Sequence, residues 1–348
     1  MAIQSLYQTY NRFLTLQTDK ISSLPIVILM PHSSCNCRCV MCDIWKGNHH
    51  LRQLDESDIR GLLQTFGKYQ TRQVVMSGGE ALLNANFFRF CEILKSRKVK
   101  ITLLSTGLTV QKHAELLVQW VDDIIVSLDG DEALHDTIRN IPGAFKKLKA
   151  GIQGIRSIDP HFPITGRSVI HRLNFRHWRE IIHAAKEIGL DSISFLPADV
   201  SSTAFNRELV WTEDRQQEIV LKETELEEMK KIIGCILEEC QEEFKNRYIV
   251  ESPQKFQKIY YYYAAYYGLN PFPYKKCNAP WVSTVIESDG TVRPCFFHKA
   301  YGNIKNGSLD SIINSESAIE FRKNLDMDND ETCQKCVCSL NLRPSVKI

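Results

Sequence analysis

Cys35, Cys37, Cys39 and Cys42 crowd into eight residues near the start of the chain. Three of them, Cys35, Cys39 and Cys42, have the spacing C-x₃-C-x₂-C. Three thiolates this close on a loop can hold three corners of an iron–sulfur cube. No fourth cysteine follows at a matching spacing, so one iron is left open to an outside ligand. A cluster that must touch what it reacts with needs that arrangement. Cys37 lies inside the run but off its spacing and reads as a spare. The competing reading is a structural zinc site, which takes four protein ligands and could use Cys37 as the fourth. A second group, Cys277, Cys295, Cys333, Cys336 and Cys338, lies near the other end. Only Cys91, Cys235 and Cys240 fall between, so two metal sites, one from each end, is the economical expectation.

The elements that must position these cysteines follow from hydrophobic periodicity. Short apolar runs occur at Ile26–Met30, Gln73–Met76, Ile101–Leu104, Asp123–Ser127, Thr165–Ile170 and Ser192–Phe195. They are rich in Val, Ile and Leu, as strands buried on both faces are. Helical patterns separate them at Glu56–Phe66, Asn86–Ser96, Gln111–Trp120, Ala144–Ile155 and Phe175–Ile188, with Asn174 as the expected N-cap of the last. Strands alternating with helices predict a parallel α/β sheet, either a barrel or doubly wound, with chemistry at the C-terminal strand ends. The first cysteine run follows the first strand directly, at that rim. The expected organisation is an N-terminal extension over 1–24, a barrel core over 25–199, a helical connecting segment over 200–275 and a small cysteine-rich α+β appendage over 276–348. Val282–Glu287 and Thr291–Pro294 form a hairpin around Asp289-Gly290 in this reading. The aromatic tail at 260–267 reads first as helix packing on a barrel wall, with cavity lining as the alternative.

Bulk composition excludes several classes. With 348 residues, 43% of them hydrophobic, the chain is long enough for a large core. Twelve cysteines suggest a disulfide framework only in small exported chains, and the polar start, Met1 to Lys20, lacks a signal-peptide core. The cytoplasm is the default location. A formal charge of +2, from 43 basic and 41 acidic residues, gives no reason to expect nucleic acid or an anionic membrane as partner. No run reaches the roughly 18 apolar residues of a membrane span.

The cysteine triplet after the first strand resembles the signature of the radical S-adenosylmethionine (SAM) superfamily, and later strand ends extend the likeness over 25–197. Strand two runs into Ser77, Gly78, Gly79 and Glu80; strand three into Ser105, Thr106 and Gly107; strand four into Ser127, Asp129 and Gly130, then His135, Asp136, Arg139 and Gly143; strand six into Leu196 and Pro197. The resemblance implies a partial (β/α)₆ TIM-like barrel holding a SAM-binding [4Fe–4S] cluster on Cys35, Cys39 and Cys42. It implies that Gly78, Gly79 and Glu80 bind the methionine end of SAM, that Ser127 and Arg139 hold its carboxylate, and that adenine packs by Leu196. Met41 stands where the family usually has an aromatic residue, which leaves Ile44 or Trp45 to wall the adenine. His171 and Arg172, at the end of strand five, are placed for SAM or substrate, while His49 and His50 read as solvated.

Cys277 and Cys295, spaced C-x₁₂-G-x₄-C around Gly290, with Cys333 and Cys336 beyond, resemble the SPASM and twitch domains of the same superfamily. That likeness implies one auxiliary [4Fe–4S] cluster on these four, with Cys338 a spare; a structural zinc ribbon is the alternative. The family mechanism implied is reductive SAM cleavage to a 5′-deoxyadenosyl radical that abstracts hydrogen, fed by a flavodoxin- or ferredoxin-type reductant. The substrate is expected to be a small metabolite or sugar, or else a ribosomally made peptide. An alternative of another class is a non-catalytic metal-bound scaffold or redox sensor. No catalytic side chain is identifiable from the sequence.

Overall fold

A computed structural model describes residues 2–204 and 209–346. Residues 205–208, in the expected connecting segment, and 347–348, at the end of the expected appendage, lie outside the described residues, as does Met1.

Six strands, β1 (Ile26–Leu29), β2 (Gln73–Met76), β3 (Lys100–Ser105), β4 (Asp123–Ser127), β5 (Ile164–Ile170) and β6 (Ser192–Pro197), pair in sequence order, all parallel. Helices return the chain between them: α2 (Glu56–Tyr69), α3 (Phe87–Lys95), α4 (Ala114–Trp120), α5 (Glu132–Arg139), α6 (Ala144–Ile158) and α7 (Trp178–Glu187). They follow α1 (Ala2–Thr18), a helix in the N-terminal extension that its mixed composition did not reveal. The expected partial α/β barrel is therefore present. One face of each strand is closed under the helices, with Val27, Leu29, Val74, Met76, Leu103, Ile124 and Val126 fully or almost fully buried. The other face, including Ile28, Val75, Leu104, Ile125 and Arg167, looks into an open lumen.

Three further strands, β7 (Ser283–Ile286), β8 (Thr291–Arg293) and β9 (Gly302–Asn303), complete one nine-stranded sheet in the order β6-β5-β4-β3-β2-β1-β7-β8-β9. The hairpin expected in the appendage exists as β7 and β8. Yet β7 also pairs in parallel with β1, Ile26 with Ser283 through Leu29 with Ile286. The cysteine-rich end thus shares the barrel's sheet. A partial barrel leaves β1 an edge strand, and β7 satisfies its free backbone groups. Gly290, at φ +88°, makes the turn; a Cβ there would lie 2.8 Å from Asn303 Oδ1.

After β6 the described residues form α8 (Glu213–Ile219), α9 (Leu226–Glu239), α10 (Gln241–Lys245) and α11 (Pro253–Ala265). The tyrosines of α11 pack. Tyr262 and Tyr263 are fully buried, Ala198 N–H donates to the Tyr263 hydroxyl at 2.9 Å, and that hydroxyl donates to the Ile170 carbonyl. These bonds fasten α11 to the ends of β5 and β6. Short helices α12 (Ala279–Val282), α13 (Leu309–Ile313), α14 (Glu316–Asn324) and α15 (Glu331–Lys335) carry the remainder. Among the described residues no helix is long and apolar enough to cross a membrane.

Asn174 corrects one expectation. It stands before the turn at Phe175–His177 but makes no side-chain cap bond. Its amide donates to the Asp129 carbonyl at 3.2 Å and the Val169 carbonyl at 3.1 Å, and its oxygen accepts from His171 N–H at 2.8 Å. A buried amide with three partners across two strand ends is used for tertiary bonding.

Candidate metal centres and the cavity between them

The first cysteine loop leaves β1 at the C-terminal rim and is clamped from three sides. Asn48 bonds both backbone groups of Cys35, accepting from N–H at 3.0 Å and donating to the carbonyl at 2.9 Å. Arg38 N–H and Val40 N–H donate to the carbonyls of Arg139 (3.0 Å) and Ile138 (3.1 Å), which the end of α5 leaves without helical partners. Glu80 N–H donates to the Ser34 carbonyl at 3.0 Å. Gly79 permits that last approach, because a Cβ there would lie 2.2 Å from the Ser34 oxygen and 2.9 Å from Ile44 Cγ2. Gly78, at φ +107°, passes less closely: a Cβ there would lie 3.2 Å from Met30 Cβ and 3.3 Å from the His32 carbonyl oxygen. The two glycines therefore serve the cysteine loop itself. Ile44 is occupied in this packing, and Trp45 Nε1 donates to the Cys42 carbonyl at 2.9 Å. Met41 is buried.

Within the loop the sulfurs differ. Cys35 and Cys42 are half-buried, while Cys37 and Cys39 are buried. Cys37 points into the core, hydrogen-bonded to the sulfurs of Cys35 and Cys39, which holds its thiol well above the ordinary range. The bond from Cys37, with the Arg139 guanidinium close by, lowers Cys39 to about 6. Arg139 Nη1 lies 3.5 Å from Cys39 Sγ, and its other terminal nitrogen pairs with the buried Asp129 carboxylate. Asp129 also accepts from Val169 N–H at 3.0 Å and Ser168 Oγ at 3.3 Å.

Glu80 and Arg172, both expected near SAM, are bonded within the protein. The Glu80 carboxylate is wholly enclosed. It accepts from Ser105 Oγ (2.9 Å), Thr106 N–H (2.8 Å), Thr106 Oγ1 (2.7 Å) and Leu82 N–H (3.3 Å). Burial raises its pKa against the pull of those donors. Glu80 ties the loops after β2 and β3 together and does not present its oxygens at the rim. Arg172 is drawn outward to Glu225 at 3.3 Å, so it is not at the site. His171 does lie inside, fully buried beside Asp129 and Arg139, and burial lowers it to about 4. Ser127 and Leu196 sit on the lumen faces of β4 and β6, half-buried, next to Arg167 and Val169 respectively. His49 and His50 are exposed, as expected of solvated side chains.

The loop's outer surface is covered by a part of the connecting segment that carried no recognisable signal. Trp211 Nε1 donates to Asp43 Oδ2 at 2.6 Å, and Arg215 donates to the Val40 carbonyl. Several buried polar atoms around the loop have no partner among the described residues: Ser34 Oγ, Asn36 Nδ2, Arg139 Nε and His171 Nε2. Native structures satisfy such atoms, and a polar ligand at this rim would do so. The three-thiolate set and these open groups fit a site-differentiated cluster with SAM.

The cysteines of the second group lie around one cavity, Cys338 among them. Cys277, Cys295, Cys333, Cys336 and Cys338 all face one cavity of about 770 Å³. Cys338, read as a spare, stands with the other four and within electrostatic reach of Arg167 and Asp199. A zinc site with bonds of about 2.3 Å brings its sulfurs within about 4 Å of one another. The donors found within 4.8 Å of one another among the described residues are His298, Asp330 and Cys333, a set with a single sulfur. The cavity's opposite wall is the barrel lumen, including Ile28, Val75, Leu104, Ile125 and Arg167; Phe272, Phe296 and Phe297 close its sides.

Residues 29–198 match the family model described as the radical SAM superfamily. The chain belongs to this superfamily. Residues 277–337 match an iron–sulfur cluster-binding domain, SPASM. Radical SAM and SPASM membership together imply a SAM-binding [4Fe–4S] cluster and an auxiliary iron–sulfur cluster. This radical SAM protein is 26% identical to the AdoMet-dependent heme synthase of Methanosarcina barkeri over 208 residues, 55% of this chain and 59% of that protein. It is 23% identical to the antilisterial bacteriocin subtilosin biosynthesis protein AlbA of Bacillus subtilis over 295 residues, 81% of this chain and 57% of that protein. The chain thus spans little more than half the length of these curated relatives. Its fold is similar to Streptococcus suis SuiB bound to precursor peptide SuiA, with a TM-score of 0.63 at 12% identity, covering 94% of this chain and 74% of SuiB. The fold is equally similar to anSMEcpe with bound AdoMet and a peptide, with a TM-score of 0.63 at 17% identity, covering 90% and 88% of the two chains.

Proposed function

We propose that this radical SAM protein is an enzyme that modifies an apolar substrate held between the barrel lumen and the auxiliary cysteines. The observation that carries this reading is the cavity of about 770 Å³, with the lumen of the SAM barrel on one wall and five thiols on the other. Cys35, Cys39 and Cys42 hold the first cluster, and Cys277, Cys295, Cys333 and Cys336 the second. A cluster on Cys35, Cys39 and Cys42, reduced by a flavodoxin- or ferredoxin-type donor, would pass one electron to bound SAM, whose S–C5′ bond would break to methionine and a 5′-deoxyadenosyl radical able to abstract hydrogen from an unactivated C–H bond. The protein orients and encloses. Ser127 and Leu196 offer a hydroxyl and an apolar surface on the lumen side of the rim. Arg139, held by Asp129, compensates the Cys39 thiolate, and its open Nε is available to the carboxylate of SAM. Trp211 and Arg215 keep water from the outer side of the loop.

The walls speak to the substrate. Ile28, Val75, Leu104, Ile125, Phe272, Phe296 and Phe297 make much of the wall apolar, with Gln73, Thr102 and Asn270 among its polar groups, so a sugar would set many hydroxyls against apolar surface, which is costly. Arg167 and Lys275 are the cationic groups on the walls. An apolar body carrying an anionic group fits this lining, in a small metabolite first. A peptide side chain is the second reading, supported by the alignment with AlbA over 81% of this chain.

The test is anaerobic reconstitution with iron and sulfide, an iron count, and an assay of 5′-deoxyadenosine formed from SAM with dithionite. About eight irons are expected, falling to about four with loss of 5′-deoxyadenosine in Cys35→Ala/Cys39→Ala/Cys42→Ala. Stoichiometric zinc with no SAM cleavage would overturn the reading.

A further inference from the structure

His298 lies three residues after Cys295, in the wall of the cavity, and its side chain is nine-tenths buried. Its Nε2 stands 3.3 Å from Cys333 Sγ. The Asp330 carboxylate is 3.9 Å from the same nitrogen and caps α15 by accepting from Cys333 N–H at 2.8 Å. Asp330 therefore fixes the backbone of Cys333 while His298 meets its sulfur. The imidazole is itself held, edge-on to Phe321 at 5.0 Å between ring centres, with Arg293 donating to the His298 carbonyl at 3.2 Å. Backbone N–H groups of Phe297 and His298 point at the Cys295 sulfur. One short segment thus directs donors at two of the five thiols. A site needing only apolar filling beside Phe321 would not require an imidazole.

We infer that His298 is a positioning residue of the auxiliary cluster, donating Nε2–H to the Cys333 thiolate and raising the cluster's reduction potential. The inference rests on Cys333 being a ligand of that cluster. Reduction adds one negative charge, and an N–H dipole aimed at a ligating sulfur stabilises the reduced form more than the oxidised form. A higher potential makes the cluster a better acceptor for an electron left on a substrate radical.

The experiment uses the reconstituted Cys35→Ala/Cys39→Ala/Cys42→Ala protein, which isolates the auxiliary cluster, and follows its redox titration by electron paramagnetic resonance. His298→Phe should keep its iron and titrate at a more negative potential, while His298→Gln, which retains a donor, should lie near the parent. His298→Leu carries the same test if the phenylalanine variant does not fold. An unchanged potential in the variants lacking a donor overturns the inference. So does nitrogen hyperfine coupling to the cluster in the parent that vanishes with the iron in the variants, which would make His298 a ligand. A Cys333→Ser control separates the premise: a cluster unaltered in iron content and spectrum would show that Cys333 does not ligate, whatever His298 does.

Discussion

Arg139 Nη1 lies 3.5 Å from the sulfur of Cys39, one hundred residues earlier, while the same guanidinium pairs with Asp129. A buried cation thus stands between a cluster thiolate and a strand-end carboxylate. Removing one partner of a buried pair strands the other and costs about 3–5 kcal/mol. Arg139→Met should lower the denaturant midpoint of the apoprotein strongly and leave the first cluster unable to assemble. Arg139→Met combined with Asp129→Asn should recover much of the stability without the cluster. Equal stability of the Arg139→Met variant and the parent would contradict the pairing.

Gly79 gives a steric prediction. A methyl group there meets the Ser34 carbonyl at 2.2 Å, and relief of that clash must move the residue next to Cys35. Gly79→Ala should therefore reduce reconstituted iron to about the four of the auxiliary site and abolish 5′-deoxyadenosine. Full iron with full SAM cleavage would show that the loop has room to spare.

Glu80 distinguishes a structural tie from a ligand contact. Its carboxylate is enclosed and accepts from Ser105, Thr106 and Leu82. Glu80→Ala should strip those donors of their partner and cost about 2–4 kcal/mol in urea unfolding, because each buried unpaired donor costs about 1–3 kcal/mol. If SAM affinity fell with stability unchanged, the carboxylate would be acting on SAM directly.

Acid should destabilise the apoprotein through two enclosed histidines. Burial lowers His135 and His171 to about 4 each, against about 6.5 in an unfolded chain. Their contribution is complete above pH 6.5. As pH falls from there towards 4, the unfolded chain binds protons that the folded chain refuses, and stability drops. The loss is on the order of 3 kcal/mol per histidine by the bottom of the window. His171→Gln should flatten the dependence of urea-unfolding stability on pH between 7 and 4.5, and an unaltered slope would remove His171 from the account.

Much of the fold was legible because its strands read as short runs rich in Val, Ile and Leu, although only their helix-side face is closed and the other lines the lumen; β2 and β4 have the expected bounds. Helix α1 was not legible, because its buried side carries Asn11, Arg12 and Thr15 while Leu6, Tyr10 and Phe13 are exposed. The union of β7 with β1 was hidden for another reason: strand pairing across some 250 residues leaves no local pattern. At the site, a spacing code marked the cysteines, but Asn48, Trp211 and His298 belong to no motif and act through contacts made by folding.

By itself, the sequence determined which cysteines group together and the strand that carries the first group, since ligand spacing and hydrophobic period are properties of neighbouring residues. The tertiary structure alone decided what each side chain spends its bonds on. Glu80 turned inward because the donors of Ser105 and Thr106 surround it. Cys338 joined the second thiol group because the segment around it, with Ser339 and Leu340, lines the cavity under the barrel lumen. Arg139 reached Cys39 because α5 ends against the loop. A polar side chain bonds to whatever lies within about 3 Å, and the chain's path through space sets those neighbours.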